Sequence, residues 1–203
     1  MADSSAAGPP RQRISGEDWY ARDLTGLHLS DVDLVDVDLT EAFGAGAVFD
    51  ECTFATVRFN VAVLTDVAFV NCRFTRSSFF DAELTRCKLI GSVFDACSFA
   101  LTRVEGGNWS FVGLGKADLT SAVLRGVNLR EADLTGARCH GATLRDVDLS
   151  GALLTGADLS GADLRGSVLI GVDPLETDLR AAIVTIDQAV VVAQGLGLDV
   201  RVE

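Results

Sequence analysis

Proline, methionine, tyrosine and histidine are scarce in this 203-residue chain, with three, one, one and two copies. Pro9 and Pro10 fall within the first ten residues, so the long stretch that follows is almost free of the residue that removes a backbone donor. His28 and His140 stand far apart, and no His/Cys/Asp group shows metal-ligand spacing. No nucleophile–base constellation can be assembled either. The chain is therefore expected to be no enzyme, with no catalytic residue, no metal and no cofactor. Positive charge is also short: 17 Lys+Arg stand against 29 Asp+Glu, a net charge of −12. Repulsion from phosphate argues against a nucleic-acid ligand. No apolar run reaches the roughly 18 residues of a membrane span, so no membrane partner is expected. Met1 to Pro10 lacks the apolar core of a secretory leader. A cytoplasmic location is expected, with the five cysteines as reduced thiols.

What the chain does have is a period of five. From Trp19 to Val184, take every residue whose number leaves remainder 4 on division by 5. Of these 34 positions, nineteen are Leu, eight Phe, two Trp, two Val and one Cys139; only Gly44 and Pro174 are not large or apolar. Two residues before each lies a second selective position. From Val32 to Ala182 all 31 such sites hold Ala, Val, Cys, Ser, Thr or Gly, including Cys52, Cys72, Cys87 and Cys97. The remaining positions are polar-rich or Gly-rich, as in Ala132-Asp133-Leu134-Thr135-Gly136.

Five is neither the period of a helix nor that of an open strand. One large and one small inward side chain per five residues describes a short extended segment followed by a turn. Such a unit cannot bury its apolar residue alone, but successive coils stacked in parallel can bury a continuous column. The expected fold is an all-β solenoid. Cysteines at the small positions read as core filler, and a ladder of parallel side chains such as Cys52 and Cys72 has poor disulfide geometry.

Residues 17–185 resemble the pentapeptide-repeat proteins, whose consensus is A(D/N)LXX. The resemblance implies a right-handed quadrilateral β-helix with four pentapeptides per coil. A 20-residue coil would stack Phe59, Phe79 and Phe99 in one ladder and Phe54, Phe74 and Phe94 in another. About 8.5 coils at ~4.8 Å give a rod of roughly 40 Å.

Two places depart from the pattern. Gly44 replaces a large central residue, with Phe43 and Val48 as candidates to fill its space; residues 101–116 weaken the small/polar alternation and suggest a bulge or a recognition patch. Pro174 is expected to loosen the last coil. The ends read as follows: residues 1–16 a disordered tail, residues 17–185 the solenoid, residues 186–203 a C-terminal helix and tail. Thr185-Ile186-Asp187-Gln188 has the form of a capping box, and the helix should run from Ile186 to Gln194. Its interior, Ala189-Val190-Val191-Val192-Ala193, is apolar all round, whereas a surface helix shows a polar face. It is expected to cap the last coil and to form a two-fold dimer through Ile186, Ala189, Val190 and Ala193.

Charge is uneven. Residues 17–51 hold ten acids and only Arg22 as a base, residues 52–116 five acids and seven bases, and residues 117–203 thirteen acids and seven bases. A dimer would carry about −24 over roughly 80 Å, near half the line charge of duplex DNA.

Within its family the chain is similar to the MfpA-like, fluoroquinolone-resistance branch, related to the Qnr proteins. The similar segments are Phe69-Val-Asn-Cys72-Arg-Phe74, Gly91-Ser-Val-Phe94-Asp-Ala-Cys97 and Val184-Thr-Ile-Asp187-Gln188-Ala-Val190. That resemblance implies a dimeric rod that mimics DNA, binds DNA gyrase, modulates it and protects it from fluoroquinolones. The candidate gyrase-binding acids are Asp118, Asp133, Asp148, Asp158, Asp163 and Asp178. Two other readings stay open: an immunity factor protecting gyrase from an endogenous toxin or antibiotic, and a non-catalytic interaction scaffold unrelated to topoisomerases.

Overall fold

A computed structural model describes residues 11–201. The chain winds into a parallel β-solenoid whose rungs repeat every 20 residues. Each coil contributes four short segments, so the column has four faces. One face runs from Asp18 through Asp38, Arg58, Ser78, Ser98, Asp118, Arg138 and Asp158 to Asp178. A second stacks Gln12–Ser15, Val32–Val35, Thr53–Ala55, Arg73–Thr75 and Val93–Asp95, and continues by single bridges to Gly113, Asp133 and Leu153. A third joins Phe43–Ala45, Val63–Thr65, Glu83–Thr85, Arg103–Glu105, Val123–Arg125 and Thr143–Arg145. The fourth joins His28–Ser30, Val48–Asp50 and Ala68–Val70, then Lys88, Asn108, Asn128, Asp148 and Val168.

From Leu34 to Leu169 every large register position except Gly44 is buried. The two phenylalanine ladders form as stacked pairs. Phe54–Phe74 and Phe74–Phe94 lie 4.6 and 4.5 Å apart, Phe59–Phe79 and Phe79–Phe99 4.7 and 5.6 Å. Phe49 and Phe69 add a third, two-ring stack at 4.9 Å. Stacked rings one rung apart fill the column without the voids that would cost stability.

The corners come in two forms. In the tight form the chain closes its own turn, as where the Arg22 N–H donates to the Trp19 carbonyl at 3.1 Å. In the wider form that bond is replaced from the next coil. The Ser77 hydroxyl donates to the Phe54 carbonyl at 3.1 Å and accepts the Val57 N–H at 3.2 Å. Ser167 does the same for Leu144 and Val147 at 2.6 and 2.9 Å. The small inward cysteines do more than fill space, since Cys52, Cys72 and Cys87 donate weakly to the carbonyls of Leu29, Phe49 and Leu64. All five thiols are free.

Several expectations need correction. The first coil starts before residue 17: Gln12–Ser15 pair in register with Val32–Val35, and Ile14 packs against the core. The part of the expected disordered tail that covers residues 1–10 lies outside the described residues. Phe43 does not compensate for Gly44, because it is 47% exposed. Gly44 is instead a close approach: a Cβ there would lie 2.7 Å from the Thr25 backbone nitrogen. No bulge interrupts residues 101–116, where the bridges Lys88↔Asn108 and Val93↔Gly113 hold the 20-residue register. Trp109 is buried while Phe111 is exposed. Near Pro174 the ladder does shift, and the Gly156 N–H reaches the carbonyl of Glu176.

Candidate functional site

The six candidate acids are all outward, but they do not share a face. Asp118, Asp158 and Asp178 lie on the face that begins at Asp18, with Arg138 between the first two. Asp133, Asp148 and Asp163 lie one on each of the other three. Each has a structural role, since one oxygen accepts the N–H two residues on, from Thr120, Thr135, Ser150, Ser160, Arg165 and Arg180 at 2.9–3.3 Å. This bond satisfies a donor at the corner, which explains why Asp recurs before the central residue.

Four of the six also bind arginine. Asp118 meets Arg138 at 2.8 Å, Asp148 meets Arg130 at 3.3 Å, Asp163 meets Arg165 at 2.7 Å and Asp178 meets Arg180 at 2.5 Å. The Arg165 and Arg180 guanidinium groups hold the Asp163 and Asp178 carboxyls down to about 2. Arg138 lowers Asp118 in the same way, and the Ser160 bonds lower Asp158. At Asp148 burial pushes upward, and bonds from Ser150 and Arg130 outweigh it. Among the described residues, Asp133 and Asp158 have no cation within ion-pair distance. Of the six, only Asp133 and Asp158 therefore present an uncompensated carboxylate among the described residues.

The N-terminal third is less neutralised. Asp38 is paired with Arg58 at 2.8 Å, and Arg11 lies 3.7 Å from both Asp31 and Asp33. The one base of the 17–51 block, Arg22, stacks over the Trp19 ring at 3.9 Å. Asp36, Glu41, Asp50 and Glu51 have no ion-pair partner among the described residues. The candidate acids all come from the C-terminal half and leave this end out, although the count of ten acids against one base marks it. Among the described residues no group of three or more His, Cys, Asp or Glu is placed to hold a metal ion.

The profile described as pentapeptide repeats, eight copies, matches residues 58–95, 114–151 and 148–185, more than half of the chain. The chain belongs to the pentapeptide-repeat family. Among solved structures it is similar to two trypsin-treated variants of QnrB1, a plasmid-mediated fluoroquinolone resistance protein. One is 25% identical with a TM-score of 0.55, covering 94% of this chain and 98% of that one. The other is 23% identical with a TM-score of 0.54, covering 95% and 100%. HetL, a pentapeptide-repeat protein involved in heterocyst differentiation regulation in the cyanobacterium Nostoc sp. strain PCC 7120, is 22% identical over 84% of this chain and 82% of its own, with a TM-score of 0.36. A search of curated protein sequences finds no significant match.

At the far end of this pentapeptide-repeat rod stands the helix Ile186–Gly195. Its capping box is formed as expected, with Thr185 accepting the Gln188 N–H and Gln188 accepting the Thr185 N–H at 2.7 Å. Gln188 has a second role that its place in the box does not announce. Its Nε2 donates to the carbonyls of Leu164 and Ser167, both at 2.6 Å, and so satisfies acceptors of the last full coil. Only one side of the helix is covered, by Val191 and Val192 packing on the core. Ile186 is 85% exposed, Ala189 is exposed, and Val190 and Ala193 are half-buried. A cavity of about 210 Å³ opens between the helix and the last coil, lined by Leu179, Ala182, Val184 and Leu196 among others.

Proposed function

We propose that this rod binds DNA gyrase as a mimic of duplex DNA, modulates the enzyme and protects it from fluoroquinolones, acting in the cytoplasm as a dimer joined through Ile186, Ala189, Val190 and Ala193. The observation that carries the proposal is a four-faced column of net charge −12 in which residues 17–51 hold ten acids against Arg22 alone. Likeness in fold to QnrB1, named as a fluoroquinolone resistance protein, supports the same reading. A dimer joined at the helix would place the acidic first coils at both tips. Electrostatic complementarity to a DNA-binding channel speeds association and weakens as salt rises.

Charge can be tested apart from structure, because Asn keeps the oxygen that accepts the corner N–H. An Asp133→Asn, Asp158→Asn, Asp178→Asn variant should retain the fold and inhibit gyrase supercoiling less than wild type. Pull-down of purified gyrase by the wild type should also fall between low and high salt. Unchanged inhibition by the triple variant, or gyrase binding indifferent to salt, would sink the electrostatic account.

A further inference from the structure

The exposed apolar side chains at the C-terminal end are accounted for by the proposed dimer, but a second set lies mid-rod. Phe43 and Val63 face each other in register on neighbouring coils, and each is 47% exposed. Around the adjacent corner, the N–H of Val61 donates to the carbonyl of Phe80 at 2.8 Å, and these residues are 42% and 45% exposed. The Asp81 N–H meets the Ala100 carbonyl at 2.9 Å, which sets Leu101, 47% exposed, one coil further on. Five apolar side chains from four successive coils thus share one corner.

The fold does not ask for them. Val61 and Leu101 sit at φ +57° and +60°, a backbone region that disfavours β-branched and bulky residues and that many other corners of this chain fill with Gly. Apolar surface kept exposed at strained positions marks an interaction site. Its rim is acidic. Asp23 lies on the rung before Phe43, Glu41 stacks before Val61, Asp81 stands between Val61 and Leu101, and Glu83 lies beside Val63. Arg103 is bonded to Asp81 and Glu83 at 3.0 and 3.2 Å, leaving the rim net negative. A second copy laid against this corner would bring two acidic rims together, so the occupant carries an apolar centre with Lys or Arg flanks.

We infer that this corner is a second docking surface, which holds an apolar, basic-flanked segment of gyrase and adds a salt-resistant component to binding. The inference rests on the gyrase reading above. The two components separate with salt, because at about 0.5 M the screening length falls to about 4 Å while apolar burial is not weakened.

The test measures binding of purified gyrase at low salt and at about 0.5 M salt. It compares the wild type with Phe80→Ser/Leu101→Ser and with Phe43→Ser/Val63→Thr, each checked for an unchanged melting curve. Because Phe43 and Val63 lie on strands of the third face while Phe80 and Leu101 lie in the turn beside it, misfolding of one pair leaves the other informative, and Phe80→Leu serves as a conservative control. The expected result is a roughly tenfold or greater loss at high salt for each folded pair, with wild-type salt dependence retained and Phe80→Leu near wild type. Wild-type binding at high salt by a folded pair would overturn the docking surface and leave the gyrase reading standing. A wild type that fails to bind gyrase at either salt would overturn both.

Discussion

The hydroxyl of Ser92 donates to the carbonyl of Phe69, one coil away, at 3.0 Å. The same oxygen accepts the N–H of Cys72 at 3.0 Å, so one side chain closes the corner between Phe69 and Cys72 from outside it. Ser92 is fully buried. Ser92→Ala would strand a buried donor and a buried acceptor, at a cost of about 1–3 kcal/mol. The midpoint of thermal unfolding should fall by roughly 2–4 °C per kcal/mol. Ser92→Cys should lose less, because thiols hold the equivalent place at Cys72 and Cys87. Equal melting of the wild type and Ser92→Ala would remove the inter-coil role assigned to the hydroxyl.

Two glycines in left-handed backbone separate conformational strain from collision. Gly141 sits at φ +64° with nothing within 4 Å of a built Cβ. Gly107 sits at φ +99°, and its Cβ would lie 2.2 Å from the carbonyl oxygen of Cys87. Gly141→Ala should cost only the backbone term, about 1–2 kcal/mol. Gly107→Ala must push two backbones apart and should cost about 4 kcal/mol or more, enough to reduce soluble yield. Urea unfolding of the two variants decides the matter, and equal midpoints would contradict it.

Most of the column was legible because its inward positions recur with a fixed period. The 32 of 34 apolar sites mark the interior, and the spacing of Phe54, Phe74 and Phe94 points to a 20-residue coil. Ile14 carries the same remainder and marks the earlier start, but a count begun at Trp19 passes over it. What the period cannot carry is rotamer choice. Asp118 and Arg138 are one coil apart, whereas Asp178 and Arg180 are two residues apart at one corner, and nothing in the repeat says which cation turns toward which acid. The bonds of Gln188 to Leu164 and Ser167 were equally hidden, since they depend on how the helix lies across the last coil.

Asp38 links pH to stability. Its carboxylate binds Arg58 at 2.8 Å and accepts the Thr40 N–H at 3.0 Å. The Arg58 bond holds its pKa to about 2, below the ordinary 3.8. A carboxyl with a lowered folded pKa stabilises fully above its unfolded pKa and stops doing so as pH falls through the folded value. Asp38→Asn keeps the corner acceptor and removes the charge. Wild type should exceed Asp38→Asn in urea midpoint at pH 6, and the gap should close between about pH 4 and pH 2. A gap unchanged from pH 6 to pH 2 would show that this charge does not contribute in the way described.

The proposed dimer depends on the helix presenting apolar side chains away from its own coil. Ile186 at 85% exposure is the extreme case, and Ile183, Leu196 and Leu198, at 47%, 49% and 59%, widen the apolar end. Ala189 and Ala193 are small enough to let two helices approach closely, while Val190 supplies bulk between them. An interface of standard size buries about 800 Å² per partner, which a helix of ten residues and the rim of one coil can supply. Ile186→Asp with Val190→Asp would place four carboxylates in that interface, where unpaired charge is costly to bury. Sedimentation at micromolar concentration should give twice the 21.4 kDa chain mass for the wild type and the single-chain mass for the variant. Gln188 is untouched by the change, so the capped last coil should keep its melting behaviour, and the mass would then report association alone. A wild type that sediments as one chain at every concentration would leave the apolar helix without its proposed cover.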